Sequence, residues 1–336
     1  MKCIKNSLNY IAVSASALVI SMLLLGCKKA DYSQDSLVAN IDSGSQKQPA
    51  LSGRLVFHSY SCYSCNDSQL FIYDFTTGVL KEISNNWAMN NCMNADFSPD
   101  GKKIVFMGTM AGTGNWDVFL WNVDSVSQPV DLTAALGSSS RDEDPKFSNS
   151  GERIVFKHNG HLLEMDLAGN ITRTITSGTG EESMPYYNYN DSLILYAEGA
   201  GASSDIYMVE TDGTITKTDA SLPGIQEYYP ISRDSLSFFY TAWPSVTNLN
   251  DQIYLGYFET NKAPEYMPFN QPIANYSDPY PCGTGNVFLS STKSDSRGGY
   301  DLYVADINTG NIWSLSVYNS SINSVNDELG SCYSSK

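Results

Sequence analysis

The sequence predicts an all-β protein, a six-bladed β-propeller of four-stranded blades that the C-terminal strand closes by completing the first blade. Two observations carry this prediction. A strand–turn–strand motif recurs along the chain, with turn residues 50, 40, 43 and 51 positions apart, a spacing typical of propeller blades or helical arrays. The turn residues aligned in this way are Gly101, Gly151, Asp191, Asp234 and Gly285. The array also starts with an incomplete unit and ends with a lone strand, as a closed ring requires.

The first element is the turn, which is clearest in the segment FSPDGKKIVF at 97–106. Pro99 fixes its own φ, Asp100 can accept hydrogen bonds from the local backbone, and Gly101 adopts a positive φ without steric cost. The same design recurs as FSNSGERIVF at 147–156 and is looser in the later units. The motif therefore predicts a hairpin turn with a structural role.

The strands after each turn exclude a helical array. The runs KKIVF, ERIVF, SLILY and SLSFF are rich in β-branched or aromatic residues and lack an apolar stripe at 3.6-residue spacing. Each unit continues with a loop, a second strand, a turn and an outer strand, which gives four strands, A to D from the inside out. The predicted blades are 53–84 with 326–334, then roughly 90–135, 140–178, 180–222, 225–270 and 273–318.

The missing inner strand predicts how the ring closes. The unit at 53–84 has strands B, C and D, and the segment NDELGSCYS at 326–334 has the pattern of a lone strand A. Pairing of the last strand with the first would hide both sheet edges from solvent. We therefore expect 53–336 to form one propeller domain.

The repeat resembles that of the TolB-type propeller family, closely at 97–106 and more weakly at 147–156. The resemblance covers nearly all of 53–336 and implies the six-bladed fold. It is a poor guide to function, because the repeat also occurs in peptidase propellers, glycan lyases and envelope scaffold proteins. We expect no hydrolase domain after the repeats, in which case the peptidase alternative would lack its catalytic half.

The N-terminus predicts export and lipid attachment. Two lysines precede an apolar run at 11–25 that is short for a membrane span. The segment LLGC at 24–27 resembles a bacterial lipobox, which implies cleavage before Cys27 and a lipid on its thiol. We expect a signal peptide at 1–26, a flexible tether at 27–52 and a lipid-anchored protein of the bacterial envelope, at the outer membrane. A plain secretory signal or a single anchor helix is the alternative.

The chain is strongly acidic. Its formal net charge is −16 at pH 7, and loss of Lys2 and Lys5 with the signal peptide makes it −18. This argues against a nucleic-acid partner, because phosphates need cationic neutralisation. The charge suits a cationic partner, a bound cation or a neutral glycan, although a soluble acidic surface is a better explanation than any one of these. We expect a monomer that binds an envelope protein or a glycan and meets the membrane only through its lipid.

Loop length points to one face of the propeller. The B–C loops are long and the A–B turns are short, so the face formed by B–C and D–A loops is the predicted binding face. Alignment of the units on their A–B turns places an acidic column where strand A begins, near the channel mouth. These carboxylates could bind a cation or partner amines, or could instead accept backbone N–H groups between blades. The candidates are Asp144, Glu227, Asp278 and Glu328.

Three tryptophans in loops are further candidates for the binding face. Exposed rings beside polar loops suit stacking on a sugar or a protein partner. The alternative is packing between blades, where a propeller needs bulky, flat side chains. The three residues are Trp87, Trp116 and Trp243.

No catalytic residue can be nominated, and no cofactor is expected. Lyases of this repeat class resemble metal enzymes with a His-rich channel mouth. This sequence has only three histidines, His58, His158 and His161. Among so many carboxylates, the sequence cannot select a pair for glycoside hydrolysis. We therefore predict a non-catalytic binding or scaffold module. The alternative is a glycan-active enzyme, a polysaccharide lyase or glycosidase, with its site at the channel mouth.

Five cysteines follow the lipobox, in a compartment where disulfides persist. The turn alignment places Cys282 and Cys332 at matching positions of adjacent inner strands, which predicts a disulfide between them. Cys92 is predicted to pair with Cys62 or Cys65, which leaves one thiol free. Unpaired buried cysteines are the alternative.

Overall fold

The computed structural model describes residues 47–199 and 203–336. These residues form six sheets of four strands each, with single 3-10 turns at Tyr63–Cys65 and Leu315–Val317. The predicted all-β, six-bladed propeller is therefore confirmed. The predicted signal peptide, Cys27 and most of the predicted tether lie outside the described residues. Within those residues, no helix is long and apolar enough to cross a membrane.

Each blade takes four consecutive strands, except that blade 1 takes its inner strand from the C-terminus. Blades 1 and 2 contain β1 (Arg54–Tyr60), β2 (Gln69–Asp74), β3 (Val79–Glu82), β4 (Met89–Phe97), β5 (Lys103–Met110), β6 (Asp117–Asn122) and β7 (Val130–Asp131). Blades 3 and 4 contain β8 (Asp142–Phe147), β9 (Arg153–His158), β10 (His161–Asp166), β11 (Ile171–Thr174), β12 (Glu182–Tyr187), β13 (Leu193–Gly199), β14 (Ser204–Glu210) and β15 (Ile215–Lys217). Blades 5 and 6 contain β16 (Glu227–Ser232), β17 (Ser237–Ala242), β18 (Gln252–Tyr257), β19 (Glu265–Tyr266), β20 (Tyr276–Cys282), β21 (Asn286–Ser291), β22 (Asp301–Asp306) and β23 (Ile312–Ser314), and the last strand is β24 (Asp327–Ser334).

The ring closes as predicted. Strand β24 pairs antiparallel with β1, and Arg54 lies opposite Ser334 at one end of this ladder. The order of strands in blade 1 is therefore β24–β1–β2–β3. The Arg54 guanidinium also donates a hydrogen bond to the carbonyl oxygen of Gly101 in blade 2 at 2.7 Å. The closing strand and its partner are thus tied to the neighbouring blade.

The chain just before β1 packs on the propeller. The Tyr318 hydroxyl donates to the carbonyl of Pro49 at 2.6 Å, and the Tyr333 hydroxyl donates to that of Ser52 at 2.8 Å. Leu51 packs against the apolar cluster beside these two tyrosines. The described end of the predicted tether therefore contacts the folded domain.

The Ser-Pro-Asp-Gly segment forms the predicted hairpin turn between β4 and β5. The N–H of Gly101 donates to the carbonyl of Ser98 at 2.8 Å, with φ of 69° at the glycine. Asp100 accepts from the Ser98 hydroxyl at 2.7 Å and from the N–H of Lys102 at 3.0 Å. These hydrogen bonds favour the carboxylate and lower the pKa of Asp100. The turn is structural, as predicted.

The cysteine pairing differs from the prediction. The structure contains a disulfide between Cys62 and Cys65, whereas Cys92, Cys282 and Cys332 are free and buried. The predicted Cys282–Cys332 bond and the predicted bond from Cys92 to the first pair are therefore wrong.

The physical reason for the missing Cys282–Cys332 bond is the alternation of side chains along β24. Cys332 packs in the apolar layer that also holds residues of blade 2, while Cys282 packs in the layer with residues of blades 6 and 1. The side chain that reaches Cys282 is that of Tyr333, whose hydroxyl makes a hydrogen bond with the thiol. A shift of one residue moves a side chain to the opposite face of a sheet, which the turn alignment could not detect.

Candidate functional site

Every inner strand contains a bulge near its middle, where the register with the adjacent strand shifts, and β4 has a second bulge near its start. One residue in each of the six middle bulges has a positive φ, between 49° and 60°. These residues, here called the bulge ring, are Asn94, Asp144, Met184, Tyr229, Asp278 and Gly330. All of them line the central channel. A bulge re-aims the side chain of its strand, and here it does so at the same place in six blades.

A proline follows the ring residue in four of the six bulges. Proline lacks an N–H and is confined within sheets to edge strands and bulges. The inner strand is the edge of each blade, so a bulge there satisfies both conditions. The four prolines are Pro145, Pro185, Pro230 and Pro279. This pattern is the sequence signal that locates the ring, and alignment on the A–B turns did not use it.

Hydrogen bonds connect neighbouring members of the bulge ring. Asp144 accepts the side-chain amide of Asn94 at 2.7 Å and the N–H of Met184 at 3.3 Å. Asp278 accepts the N–H of Gly330 at 3.2 Å. The carboxylates of Asp144 and Asp278 therefore connect neighbouring blades, which is the structural role that the sequence analysis gave as the alternative to binding. Both residues also line the channel.

Two of the four acidic candidates do not belong to the ring. Glu227 and Glu328 lie two positions before the ring residues Tyr229 and Gly330, and both are fully buried. Glu227 accepts the N–H of Leu222 at 2.8 Å. Burial raises the pKa of Glu227 to about 8 and also raises that of Glu328. Neither carboxylate lines the channel mouth.

Glu328 satisfies groups in the loop that enters β24. It accepts the Ser324 hydroxyl at 2.6 Å, the Ser324 N–H at 3.1 Å and the Ser59 hydroxyl at 2.9 Å. These contacts hold the closing strand against β1. The prediction that Glu227 and Glu328 lie at the mouth is therefore wrong, and both carboxylates serve the local loop structure instead.

The error in blade 5 comes from its A–B turn. The sequence alignment matched Asp234 with Gly101, but Asp234 acts as Asp100 does, because it accepts the backbone N–H two residues on at 2.8 Å. The hairpin loop of blade 5 is also one residue shorter than that of blade 2. Together these two differences displace the alignment by two residues. In β24 there is no A–B turn on which to align.

A cavity of about 260 Å³ opens at the B–C side of the channel. Its carboxyl groups belong to Glu143, Asp144, Glu181 and Asp278. Its aromatic and apolar wall is formed by Tyr60, Tyr63, Met93, Met107, Met184, Tyr229 and Leu329. The structure thus brings Asp144 and Asp278 together at one acidic and aromatic cavity, which we call the mouth.

An ion-pair network forms one side of the mouth. The buried ammonium of Lys157 lies 2.8 Å from a carboxylate oxygen of Glu143 and 2.5 Å from one of Glu181. Arg141 is paired with Glu181 as well. These pairs raise the pKa of Lys157 against the opposing effect of burial. Lys157 and Arg141 therefore balance Glu143 and Glu181, whereas Asp144 and Asp278 form no ion pair among the described residues.

Below the mouth the channel narrows to a space of about 30 Å³, enough for one water molecule. Lys146, Asp144 and Asp278 line this constriction. The imidazole of His58 lies beside the ring, where burial, and secondly the charge of Lys146, lower its pKa to about 3. Burial raises the pKa of Asp278. Because its pKa lies far below 7, the His58 imidazole is neutral at physiological pH.

The opposite end of the channel holds a smaller cavity of about 180 Å³ beside the A–B turns. Its single carboxylate, Asp96, accepts the N–H of Phe147 at 2.8 Å and the thiol of Cys332 at 3.3 Å. The mouth on the B–C side is larger and carries more acidic groups.

The three candidate tryptophans are half-buried. The ring of Trp87 stacks on Phe106, 5.2 Å between centroids. Trp243 packs against the blade 5 cluster and makes a hydrogen bond with Asp251. Trp116 packs beside Tyr60, at the edge of the mouth. Packing rather than open exposure therefore explains these rings.

The other two histidines are held by carboxylates. The Nδ1 atom of His158 lies 2.6 Å from Asp142, and that of His161 lies 2.8 Å from Glu182. Across residues 47–199 and 203–336, no group of three or more His, Cys, Asp or Glu side chains has the geometry to hold a metal ion.

Comparison with known proteins identifies the family. A family model described as the TolB beta propeller domain matches residues 31–227, more than half of the chain. No curated protein matches the sequence.

Solved structures share the fold at low sequence identity. TolB from Acinetobacter baumannii has a TM-score of 0.60 at 13% identity, covering 85% of this chain and 67% of that one. Hydrazine synthase from Kuenenia stuttgartiensis has a TM-score of 0.65 at 14% identity, covering 84% of this chain and 46% of that one. A puromycin-hydrolyzing peptidase from Mycobacterium tuberculosis has a TM-score of 0.55 at 14% identity, with 80% and 45% covered. On the family match, this chain belongs to the TolB β-propeller family.

Proposed function

We propose that this protein is a non-catalytic binding module of the bacterial envelope, anchored by a lipid on Cys27, and that its mouth binds a cationic segment of a partner protein. The observation that carries the proposal is the mouth itself. There, four carboxyl groups face an aromatic and methionine-rich wall in a cavity of about 260 Å³. The protein acts as a monomer and contacts the membrane through its lipid alone.

The chemistry of the mouth suits an ammonium or guanidinium group attached to an apolar chain. Carboxylates attract the charge, and the faces of Tyr60, Tyr63 and Tyr229 offer cation–π contacts. Methionine side chains adapt to the shape of an apolar segment. The net charge of −16 adds long-range attraction for a cationic partner.

The state of the two ring carboxylates supports binding over catalysis. Asp144 and Asp278 already accept hydrogen bonds from the neighbouring blades, which holds them in fixed positions. A general acid or nucleophile must exchange protons or bonds with its substrate. Groups that hold the ring together are better suited to a rigid electrostatic site.

Binding of a defined probe tests the proposal. The probe is a fluorescein-labelled octapeptide of alternating lysine and leucine, titrated into the full chain at two salt concentrations. We expect Asp144→Asn with Asp278→Asn to weaken binding about tenfold, because amides keep the shape and the acceptor oxygen but remove two charges. The matched control is Glu152→Gln with Glu259→Gln, which removes two exposed charges near the A–B and C–D turns.

A second variant tests the mouth without changing the ring carboxylates, in case the first variant misfolds. Leu329 is half-buried and lines the mouth, so Leu329→Lys adds a cation there. We expect it to weaken binding without affecting the bulge ring. Equal affinities for the mouth variants and the control, at matched thermal stability, would contradict the proposal. Binding of a neutral oligosaccharide on a glycan array, with no binding of the peptide, would favour the glycan alternative.

The lipid anchor has its own test. Cys27→Ser removes the thiol that a lipobox would modify, so we expect loss of labelling by an alkyne fatty acid and release from membranes. A variant that still takes up the label and sediments with membranes would contradict the anchor.

A further inference from the structure

The loop between β1 and β2 borders the mouth through Tyr63 and contains the Cys62–Cys65 disulfide. The two Cα atoms lie 5.2 Å apart, and the N–H of Cys65 donates to the carbonyl of Cys62 at 3.0 Å. Between them, Tyr63 and Ser64 form the top of a single tight turn. The disulfide therefore sits at the tip of a loop that borders the proposed binding cavity.

The base of this loop is held by side chains and backbone. The N–H of Ser61 donates to Asp67 at 3.1 Å. Asn91, in the inner strand of blade 2, accepts the N–H of Ser68 at 3.0 Å and donates to the side chain of Asn66 at 3.0 Å. These contacts position residues 61 and 66–68 whether or not the disulfide is present.

The tip has fewer constraints. Apart from the disulfide, it has the backbone hydrogen bond between Cys65 and Cys62 and a contact of 3.6 Å between the sulfur of Cys62 and the hydroxyl of Ser64. The ring of Tyr63 is 73% exposed and meets Tyr60 edge-on, 6.3 Å between centroids. Both rings line the mouth. The position of Tyr63 thus depends mainly on the covalent bridge.

We propose that the Cys62–Cys65 disulfide is a redox-controlled clamp that holds Tyr63 over the mouth, so that its reduction by a dithiol weakens binding there. This inference rests on the proposed function of the mouth. It adds a specificity-determining residue, Tyr63, and a means of regulation, the oxidation state of the loop.

The reaction is a thiol–disulfide exchange with an external dithiol. A thiolate of the reductant attacks the sulfur of Cys65, which is more exposed than Cys62. The sulfur–sulfur bond breaks, and Cys62 leaves as a thiolate that takes up a proton. The second thiol of the reductant then attacks the mixed disulfide and releases Cys65 as a thiol. The loop gains two electrons and two protons, and the reductant becomes a disulfide.

Reduction changes the freedom of Tyr63 rather than the charge of the mouth. A ligand that needs the ring must then immobilise it, which costs affinity. We expect reduction to weaken binding of the lysine–leucine octapeptide about three- to tenfold. Tyr63→Ala should weaken binding by a similar factor and should make it insensitive to reduction.

Two measurements on the full chain test the clamp. Hydrogen exchange is followed in residues 61–67, and the affinity for the octapeptide is measured, each before and after treatment with dithiothreitol. We expect faster exchange and weaker binding on reduction. The double variant Cys62→Ser with Cys65→Ser should reproduce the reduced state and should not respond further to dithiothreitol, which controls for effects of the reductant elsewhere.

The outcomes separate this inference from the proposed function. Unchanged exchange on reduction overturns the clamp. Faster exchange with unchanged affinity also overturns it, provided that Asp144→Asn with Asp278→Asn still weakens binding, and the proposed function then stands. If neither the carboxylate variant nor reduction alters affinity, the proposed function of the mouth fails and the clamp fails with it.

Discussion

The ring residues show how single positions shape the channel. Five of the six carry a side chain at positive φ, a conformation that costs about 1–2 kcal/mol for a residue with a Cβ. Gly330 is the exception, and its surroundings explain why. A Cβ at this position would lie 2.5 Å from Cε1 of the buried His58 imidazole. Space, rather than backbone conformation alone, requires glycine there.

We therefore expect Gly330→Ala to lower the free energy of unfolding by about 3 kcal/mol, from the positive φ and the overpacking together. The control is Gly78→Ala, at φ of 72° with no atom within 4 Å of the new Cβ, which should lose only about 1 kcal/mol. Urea unfolding of both variants measures the difference. Equal losses would show that His58 moves aside without cost.

Glu227 predicts a pH dependence of stability. Its pKa is raised to about 8 by burial, above the usual value near 4.3 in an unfolded chain. The folded state then binds the proton more tightly, so stability falls as the pH rises from about 4.3 to 8. Asp117 and Asp251, with pKa values raised to about 6, act in the same direction at lower pH. Burial also raises the pKa values of Asp96 and Asp278, so Glu227 is isolated by comparison with a variant that lacks its carboxyl group.

We expect the wild type to lose about 1–2 kcal/mol more stability than Glu227→Gln between pH 6 and pH 8. Urea unfolding at the two pH values measures this, and titration of the histidines cancels in the comparison. Parallel pH profiles for the two proteins would show that Glu227 is ionised in the folded state.

At the scale of elements, the sequence predicts strands and turns well and the positions within inner strands poorly. The repeat at 97–106 specifies a hairpin, because turn chemistry is local. The number of residues between the A–B turn and the bulge is not the same in every blade. Alignment of the blades on their A–B turns therefore selects the wrong inner-strand residue where a turn differs, as at Asp234 in blade 5. The cysteine pairing fails for a related reason, because the face on which Cys332 lies depends on the bulge before it. The four prolines at the bulges, Pro145, Pro185, Pro230 and Pro279, locate the bulge ring better, because each directly follows a ring residue.

The buried thiols give a direct test of that register. Burial raises the pKa of all three free thiols, so none is reactive in the folded state. We expect alkylation without reduction to modify Cys92, Cys282 and Cys332 only after unfolding in guanidinium. Cys62 and Cys65 should stay unmodified and appear as one linked peptide in mass spectrometry. A peptide linking Cys282 to Cys332 would contradict the register of β24.

At the scale of the whole molecule, closure by β24 joins the two ends of the chain and completes the ring. Six residue pairs connect β24 with β1, and β24 supplies Gly330, one of the six residues of the bulge ring. Loss of the strand would expose the edge of β1 and remove one wall of the mouth. The mouth therefore depends on the closure of the ring by β24.

We expect deletion of 327–336 to cost at least about 3 kcal/mol, at roughly 1 kcal/mol or less per ladder hydrogen bond. Deletion of Ser335 and Lys336 alone, both exposed, is the control and should have a small effect. Thermal unfolding followed by circular dichroism compares the two. Equal stability would show that the ring does not need the strand.

Site-specific photo-crosslinking in living cells tests whether a partner protein binds at the mouth. A photoreactive amino acid is placed at Leu329, in the mouth, or at Leu236, which is 70% exposed in the A–B turn of blade 5. We expect a crosslinked partner from position 329 that disappears with Asp144→Asn and Asp278→Asn, and none from position 236. A partner captured only from position 236, or one at 329 that is indifferent to the two carboxylates, would contradict it.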